Sequence, residues 1–227
     1  MKIAGFIPTS FVDWHGKVVA TVFTYGCNFR CPFCHNHRLV VGKVRDFIPE
    51  ETVIAEVESL SEWIDGVCIT GGEPTLYPEI VEFAEKLSSV VPVKIDTNGT
   101  NPDIVRELVD VVDYIAMDVK APREKYRELA GVNVDVSIID ESIHIIKNRA
   151  KDYEFRTTAV PILDEKDFAS IAEWLRGSKR YIIQQYSTAG GTLDPRFSKL
   201  QPRSEMFLKK ICENIADMVG ECRVVNL

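Results

Sequence analysis

Three cysteines lie close together near the start of the chain, at Cys27, Cys31 and Cys34. Their spacing is C-x3-C-x2-C, within a segment, residues 25–36, that reads Tyr-Gly-Cys-Asn-Phe-Arg-Cys-Pro-Phe-Cys-His-Asn. Thiolates are soft ligands that favour iron–sulfur clusters or zinc over hard cations such as magnesium. A fully ligated cubane takes four cysteines, so three would leave one iron open to bind another molecule. The spacing therefore predicts a 4Fe–4S cluster with one open iron.

Two other interpretations of this motif stay open. A structural zinc site usually pairs C-x2-C with a second such pair or with two histidines, and His35 and His37 could serve. Alternatively the three thiols are inert core residues, although a loop that contains glycine and proline makes a poor core. We interpret Cys68 and Cys212 as core residues and leave Cys222 unassigned.

Further polar motifs follow apolar runs that predict strands. Paired glycines let backbone come close to a ligand, and a glutamate beside them could accept hydrogen bonds from an ammonium group. An aspartate and a lysine two residues apart on a strand point to the same face. Simpler interpretations are a tight turn, an Asx turn and a structural ion pair. The motif residues are Gly71, Gly72, Glu73, Asp96, Thr97, Asn98, Asp118 and Lys120.

The elements that position these motifs alternate between predicted strands and helical patterns. The strands are predicted over Val18–Tyr25, Val67–Thr70, Val93–Asp96, Tyr114–Asp118, Phe155–Val160 and Tyr181–Gln185. Such alternation indicates parallel strands joined by right-handed crossovers. Six units are too few for a closed eight-stranded barrel of about 250 residues. We predict an α/β fold, a partial, open (β/α)6 barrel of parallel strands forming one domain over residues 1–227, with a doubly wound flat sheet as the alternative. Either fold binds ligands at the carboxyl ends of its strands.

At these residues the chain resembles the radical S-adenosylmethionine (SAM) superfamily, whose signature is C-x3-C-x-aromatic-C, with Phe33 at the aromatic position. The resemblance implies that the three cysteines hold a 4Fe–4S cluster and that its open iron chelates SAM. One electron then cleaves SAM and yields a 5′-deoxyadenosyl radical. The resemblance also implies that Phe33 lies near the adenine and that the Gly-Gly-Glu motif at 71–73 holds the amino group of SAM.

A narrower resemblance is to the glycyl-radical-enzyme activases, from about Ser10 to Lys120. Those enzymes carry Asp-Thr-Asn-Gly and Asp-Leu-Lys where this chain has residues 96–99 and 118–120, with Val119 in place of leucine. These motifs would contact the ribose and carboxylate of SAM. Relatives often place a histidine near SAM on a late strand, whereas this chain has Gln-Gln-Tyr-Ser at 184–187. The residue that substitutes for that histidine is not identified.

The resemblance implies an enzyme that creates a glycyl radical on a partner enzyme. A compact chain with this opening is most similar to the activating protein of anaerobic ribonucleoside-triphosphate reductase, and the pyruvate formate-lyase type is a close second. The electron donor would be a flavodoxin or a ferredoxin. Asp13 and Gly16 lie where this enzyme could contact a loop of its partner. Alternatively, they form a loop with a structural role only.

Two other functions remain in competition with this one. A radical SAM enzyme acting on a small molecule or RNA could use Arg156, Lys179 and Arg180 as contacts to an anion. A non-catalytic iron–sulfur carrier or zinc-binding module would leave the motifs at 71–73, 96–99 and 118–120 without a role.

Composition limits the remaining classes of function. The formal net charge of −7 argues against a protein that coats nucleic acid. No apolar run is long enough to span a bilayer, and Pro8 interrupts the short apolar stretch at the N-terminus. We therefore expect a cytoplasmic protein without a membrane partner. Its cysteines are expected to be reduced thiols or metal ligands rather than disulfides.

Overall fold

The computed structural model describes residues 1–226 and contains one eight-stranded sheet in the order β1 to β8. Strands β2 to β8 run parallel, and β1 pairs antiparallel with β2 at one edge. The strands are β1 Ile3–Ser10, β2 Val19–Thr24, β3 Gly66–Gly71, β4 Val93–Thr97, β5 Tyr114–Asp118, β6 Tyr153–Thr158, β7 Arg180–Gln184 and β8 Glu221–Val225.

Helices occupy the connections between the parallel strands. They are α1 His37–Val41, α2 Glu50–Leu60, α3 Ile80–Ser88, α4 Pro102–Val111, α5 Tyr126–Ala130, α6 Val136–Arg149, α7 Glu165–Trp174 and α8 Glu205–Asn214. Because the strand order never reverses along the sheet, crossovers of one hand place the helices on one face. A doubly wound sheet reverses its order at a switch point, so that alternative is wrong. The predicted open partial barrel is confirmed.

Side chains alternate between the two faces of the sheet, as the pleat requires. Residues such as Ile69, Ile95 and Phe155 are fully buried in the main core, which the helices cover. Their neighbours Asp96 and Arg156 face the inside of the barrel. A small apolar cluster fills the interior at the amino ends of the strands, formed by Trp14, Val19, Cys68, Tyr114 and Ala116. This cluster therefore fills part of the interior at the amino ends, and polar side chains line the space beyond it.

The six predicted strands correspond to β2 through β7, and the two strands that prediction missed are the edges. β1 contains Pro8 and exposes several residues, while β8 is only partly buried. An edge strand pairs on one side only and needs no continuous apolar run, so its sequence signal is weak. Among residues 1–226, no helix has the length and apolar composition needed to cross a membrane.

The expectation that the cysteines are reduced thiols or metal ligands is wrong for one pair outside the site. Cys212 and Cys222 are neither reduced nor metal-bound, because they form a disulfide that joins α8 to the edge strand β8, with Cα atoms 5.2 Å apart. The sequence offers no sign of this pairing, since it depends on where β8 docks. Cys68 is fully buried, as predicted.

Candidate functional site

A cavity of about 660 Å³ opens on the inner face of the sheet. Its walls come from the segment 25–36 after β2, called here the cluster loop, from the ends of β3, β4 and β5, and from residues of β6 to β8 and of the loop between β1 and β2. The structure brings together all twelve residues that the motifs singled out: Cys27, Cys31, Phe33, Cys34, Gly71, Gly72, Glu73, Asp96, Thr97, Asn98, Asp118 and Lys120 all line this cavity.

The three thiols lie in one wall of the cavity, with Cys31 buried and Cys27 and Cys34 partly buried. Burial raises the pKa of Cys27 to about 11 and that of Cys31 to about 12, so without a metal both stay protonated. Ligation must therefore displace their protons. Within residues 1–226, no three His, Cys, Asp or Glu side chains converge on the position of a single ion. A cubane binds each thiolate at a different iron and does not need such convergence.

The cluster loop is held on one side by the end of helix α5. The backbone N–H of Arg30 donates to the carbonyl of Ala130 at 2.8 Å. The helix ends at Gly131 in the left-handed conformation, with φ 70°. A β-carbon on Gly131 would overlap the carbonyl oxygen of Arg30. Glycine is therefore required here by both the backbone angle and the close approach of the loop.

The segment that follows β7 holds the cluster loop on the other side. The backbone N–H of Leu193 donates to the carbonyl of Cys34 at 3.2 Å, and that of Asp194 donates to Pro32 at 2.9 Å. These bonds join parts of the chain about 160 residues apart. Because these bonds use backbone groups only, no pattern of side chains in the sequence predicts them.

The paired glycines bring the end of β3 against the cluster loop. A β-carbon on Gly72 would overlap the carbonyl oxygen of Gly26, and Gly71 has a φ of 113°. The N–H of Glu73 donates to the same Gly26 carbonyl at 2.8 Å. The close approach that these glycines permit is thus to the backbone of the protein's own loop.

The Glu73 side chain joins the ends of β3 and β4. One carboxylate oxygen, Oε1, accepts from the Thr75 N–H, the Thr75 hydroxyl and the Thr97 hydroxyl, and Oε2 accepts from the Asn98 N–H at 2.7 Å. Burial raises the pKa of Glu73 despite these bonds. A carboxylate oxygen has two lone pairs, so Oε2 keeps one acceptor position on a residue that lines the cavity.

Five charged side chains form a ladder of alternating sign across the inner face. Lys94 lies 2.8 Å from Asp96, and Lys120 lies 2.7 Å from Asp118. Arg156 contacts Asp96 at 3.1 Å and Asp118 at 2.9 Å. Burial by itself would raise the pKa of each aspartate, but Arg156 and the lysines outweigh it and hold both pKa values below the ordinary range. Asp118 and Lys120 thus share one face as predicted, and they form an ion pair.

Arg156 is the residue whose importance sequence reasoning missed, having entered only as one possible contact to an anion. The signal was the alternation Glu154, Arg156, Thr158 on β6, which places all three in the cavity wall. Lys179 and Arg180, proposed for the same role, do not line the cavity and pair instead with Asp152.

The last residue of β7 is polar and lies at the cavity. Gln184 lines it, whereas the Tyr186 hydroxyl donates to the carbonyl of Phe197.

The loop between β1 and β2 meets the cavity from the amino ends of the parallel strands. Asp13 lines the cavity, and its carboxylate accepts from the hydroxyls of Ser10 at 2.6 Å and Thr21 at 2.7 Å. Gly16 is exposed in the same loop, with φ 75°. The loop therefore lies at the opposite end of the strands from the cluster loop.

The substitution Gly131→Ala should displace the cluster loop. Gly190→Ala is the matched control, because Gly190 also has a positive φ, 77°, but has open space around it. Both variants carry left-handed strain of roughly 1–2 kcal/mol, and the overlap at Gly131 adds about 1–3 kcal/mol. Urea unfolding should show this extra loss, and the thiols of the cluster loop should react faster with a thiol reagent. Equal behaviour of the two variants would contradict the proposed contact.

The substitution Arg156→Met should destabilise the fold by about 3–5 kcal/mol at pH 7, because it leaves two buried carboxylates without their shared partner. Arg176→Met, which breaks an exposed pair with Glu173, should cost about 0–1 kcal/mol.

The same ion pairs make the stability of the wild type depend on pH. Because the pKa values of Asp96 and Asp118 are lower in the folded state than in the unfolded chain, their ionisation stabilises the fold above pH ~4, and this stabilisation is lost as the pH falls through their folded-state pKa values. The difference in unfolding free energy between Arg156→Met and the wild type should shrink as the pH is lowered towards about 4.5, because the carboxylates of the variant take up protons at a higher pH than those of the wild type. Denaturant unfolding of both proteins between pH 7 and about 4.5 measures this difference. A difference that does not change with pH would refute the prediction.

Comparison with known proteins identifies the family. A family model described as the radical SAM superfamily matches residues 21–175. A protein of Methanocaldococcus jannaschii, provisionally named a glycyl-radical enzyme activating enzyme, is 35% identical over 220 residues, 92% of this chain and 89% of that protein. The pyruvate formate-lyase-activating enzyme of Listeria monocytogenes is 27% identical over 191 residues, 74% of this chain and 75% of that enzyme. The 7-carboxy-7-deazaguanine synthase of Methanopyrus kandleri is 29% identical over 190 residues, 74% and 71% of the two chains.

Among solved structures, Streptococcus suis SuiB bound to the precursor peptide SuiA superposes with a TM-score of 0.69 at 15% identity. The match covers 87% of this chain but 46% of SuiB, and it shows a shared fold. Members of the matched superfamily use a 4Fe–4S cluster and SAM, which are the cofactors expected from the motifs. This chain is an enzyme that belongs to the radical SAM superfamily and is related to the activating enzymes of glycyl-radical enzymes.

Proposed function

We propose that this enzyme generates a glycyl radical on a partner enzyme, and that the partner is anaerobic ribonucleoside-triphosphate reductase. The observation that carries the proposal is the meeting, in one cavity, of three thiols with the Gly-Gly-Glu, Asp-Thr-Asn and Asp-Val-Lys motifs. The names of the Methanocaldococcus and Listeria relatives support the activase part. A partner of the pyruvate formate-lyase type is the close alternative.

In this proposal Cys27, Cys31 and Cys34 hold the 4Fe–4S cluster. The donor set fits, because three thiols share one wall and, among the described residues, no fourth cysteine lines the cavity. With cluster and SAM bound, one-electron reduction cleaves SAM to methionine and a 5′-deoxyadenosyl radical that takes a hydrogen atom from the substrate. The backbone bonds from Ala130, Leu193 and Asp194 fix where the thiols lie.

The remaining motif residues would orient SAM. The free acceptor position on Glu73 suits its ammonium group, and Lys120 suits its carboxylate or a ribose hydroxyl. Asp96, Thr97, Asn98 and Asp118 would contact the ribose and carboxylate region, and Phe33 would lie against the adenine. Hydrogen bonds and ion pairs already hold the carboxylates and Lys120 in place, so binding would require little rearrangement.

The choice of a protein substrate follows from what the radical can do. A 5′-deoxyadenosyl radical abstracts hydrogen from almost any C–H bond, so the enzyme must supply position. A loop of the partner enzyme that enters the open barrel would bring its own specificity to the cavity. The loop that carries Asp13 and Gly16 is one place where it could be met, although the Asp13 carboxylate already serves two hydroxyls within the chain.

A small-molecule substrate is the second candidate function. The name of the Methanopyrus relative supports it. So does the polar wall of the cavity on the late strands, where Arg156 and Gln184 could meet an anion. The two functions separate by the product of the reaction, because only an activase leaves a stable radical on another protein.

Anaerobic reconstitution of the protein should give about four irons per chain, as a cubane requires. Replacing Cys27, Cys31 or Cys34 by alanine should abolish iron uptake, whereas Cys68→Ala should retain it because that thiol lies outside the cavity. Iron and sulfide analysis with absorption spectra measures this. Stoichiometric zinc without iron would refute the assignment.

The radical itself is tested by electron paramagnetic resonance. Reduced, reconstituted protein mixed with SAM and anaerobic ribonucleotide reductase should produce a glycyl-radical doublet on the reductase. Mutation of the reductase's radical glycine should abolish the doublet. A second mixture contains pyruvate formate-lyase in place of the reductase. A doublet in that mixture only would identify pyruvate formate-lyase as the partner instead. Cleavage of SAM with no radical on either protein would favour the small-molecule function.

A further inference from the structure

A long stretch of this acidic chain contains no acidic residue. Residues 14–45 include no aspartate or glutamate, although the whole chain has 34 of them and a formal net charge of −7. The same stretch contains five lysines and arginines: Lys17, Arg30, Arg38, Lys43 and Arg45. Positive charge is therefore concentrated in the cluster loop and in the segment that follows it.

Four of these cations, called here the basic segment, are exposed and unpaired. Arg30, Arg38, Lys43 and Arg45 are all exposed, and within residues 1–226 none has a carboxylate oxygen within 4.0 Å. Many exposed cations elsewhere are paired, as in Lys86–Glu82, Arg149–Asp110 and Lys209–Glu205. The charge of the basic segment is thus available to another molecule.

The basic segment is joined directly to the cluster loop. The Arg30 guanidinium donates to the carbonyls of Cys27 at 2.6 Å and Phe29 at 2.8 Å. Helix α1, which begins one residue before Arg38, is tied to the same loop by the Gly26 N–H, which donates to the Leu39 carbonyl at 2.8 Å. A protein bound to these cations would therefore lie beside the first candidate cluster ligand.

We propose that the basic segment is the docking surface for a small acidic protein that delivers one electron to the cluster. This inference rests on the proposed cluster at Cys27, Cys31 and Cys34. The carrier is oxidised by one electron and the cluster is reduced by one, with no proton transferred and no bond formed or broken. Repulsion from the acidic remainder of the surface and attraction to the basic segment would orient the carrier before contact.

Nucleic acid is the competing polyanion, and the geometry favours the electron carrier. Binding along a nucleic-acid backbone releases counterions from many phosphates and needs an extended basic surface, whereas four cations in one segment suit a small transient contact. The position of Arg30 against Cys27 also has no purpose in nucleic-acid binding, while an electron donor must come close to the cluster.

The test compares two double variants with the same change in net charge. Arg38→Glu/Arg45→Glu reverses the basic segment, and Lys166→Glu/Lys209→Glu reverses two exposed lysines on α7 and α8. The probe is an acidic flavodoxin in its hydroquinone form. Cluster reduction is followed by stopped-flow absorbance under nitrogen, and association is measured separately by biolayer interferometry with immobilised flavodoxin.

At low ionic strength, reversal of the basic segment should slow reduction and weaken association by about tenfold or more, and the control should stay near the wild type. The difference should vanish near 1 M salt, where the Debye length is about 3 Å. Equal rates and equal association for the two variants would overturn the inference. So would tighter binding of the basic segment to a single-stranded oligonucleotide than to flavodoxin.

Reduction by dithionite separates this inference from the proposed function. All variants should form the cluster and cleave SAM when dithionite replaces flavodoxin, because dithionite needs no docking surface. Failure of the wild type in that assay would refute the proposed function itself. Normal cleavage with dithionite, together with unimpaired association of the Arg38→Glu/Arg45→Glu variant, would refute the docking surface alone.

Discussion

The position of the cluster loop is the constraint on which the site depends. Holding a loop of twelve residues in one shape costs conformational entropy, which contacts with other parts of the chain must offset. Three distant segments hold it, through the N–H of Glu73, the carbonyl of Ala130 and the N–H groups of Leu193 and Asp194. Gly72 and Gly131 are required for two of these contacts, so part of their role is to let backbone approach backbone.

The second organising feature is the charge ladder on the inner face. Lys94 and Asp96 lie on β4, Asp118 and Lys120 lie at or just after the end of β5, and Arg156 lies on β6; each charge is offset by an opposite one. Buried charges are tolerated only when they are paired in this way. In the proposed function this polar wall would meet the charged groups of SAM, while the apolar cluster around Trp14 packs the interior at the amino ends of the strands.

The outside of the molecule complements this interior. Together, the two proposals would assign separate faces of the cluster loop to the two tasks that the chemistry requires. Electrons would arrive from the outer side of the loop, where Arg30 lies against Cys27, and hydrogen abstraction would occur within the cavity. The same loop would then form the boundary between the electron carrier and the substrate.

The sequence by itself determined the cysteine spacing, the polar motifs at the strand ends and the six central strands, because each has a local pattern of residue types. It also determined that these motifs would meet, since the carboxyl ends of parallel strands share one edge of a sheet. Only the tertiary structure decided the edge strands β1 and β8, the Cys212–Cys222 disulfide, the partners of Arg156 and the contacts that hold the cluster loop. The physical reason is that edge strands lack burial on both sides, and that backbone hydrogen bonds and ion pairs between distant segments leave no periodicity in the sequence.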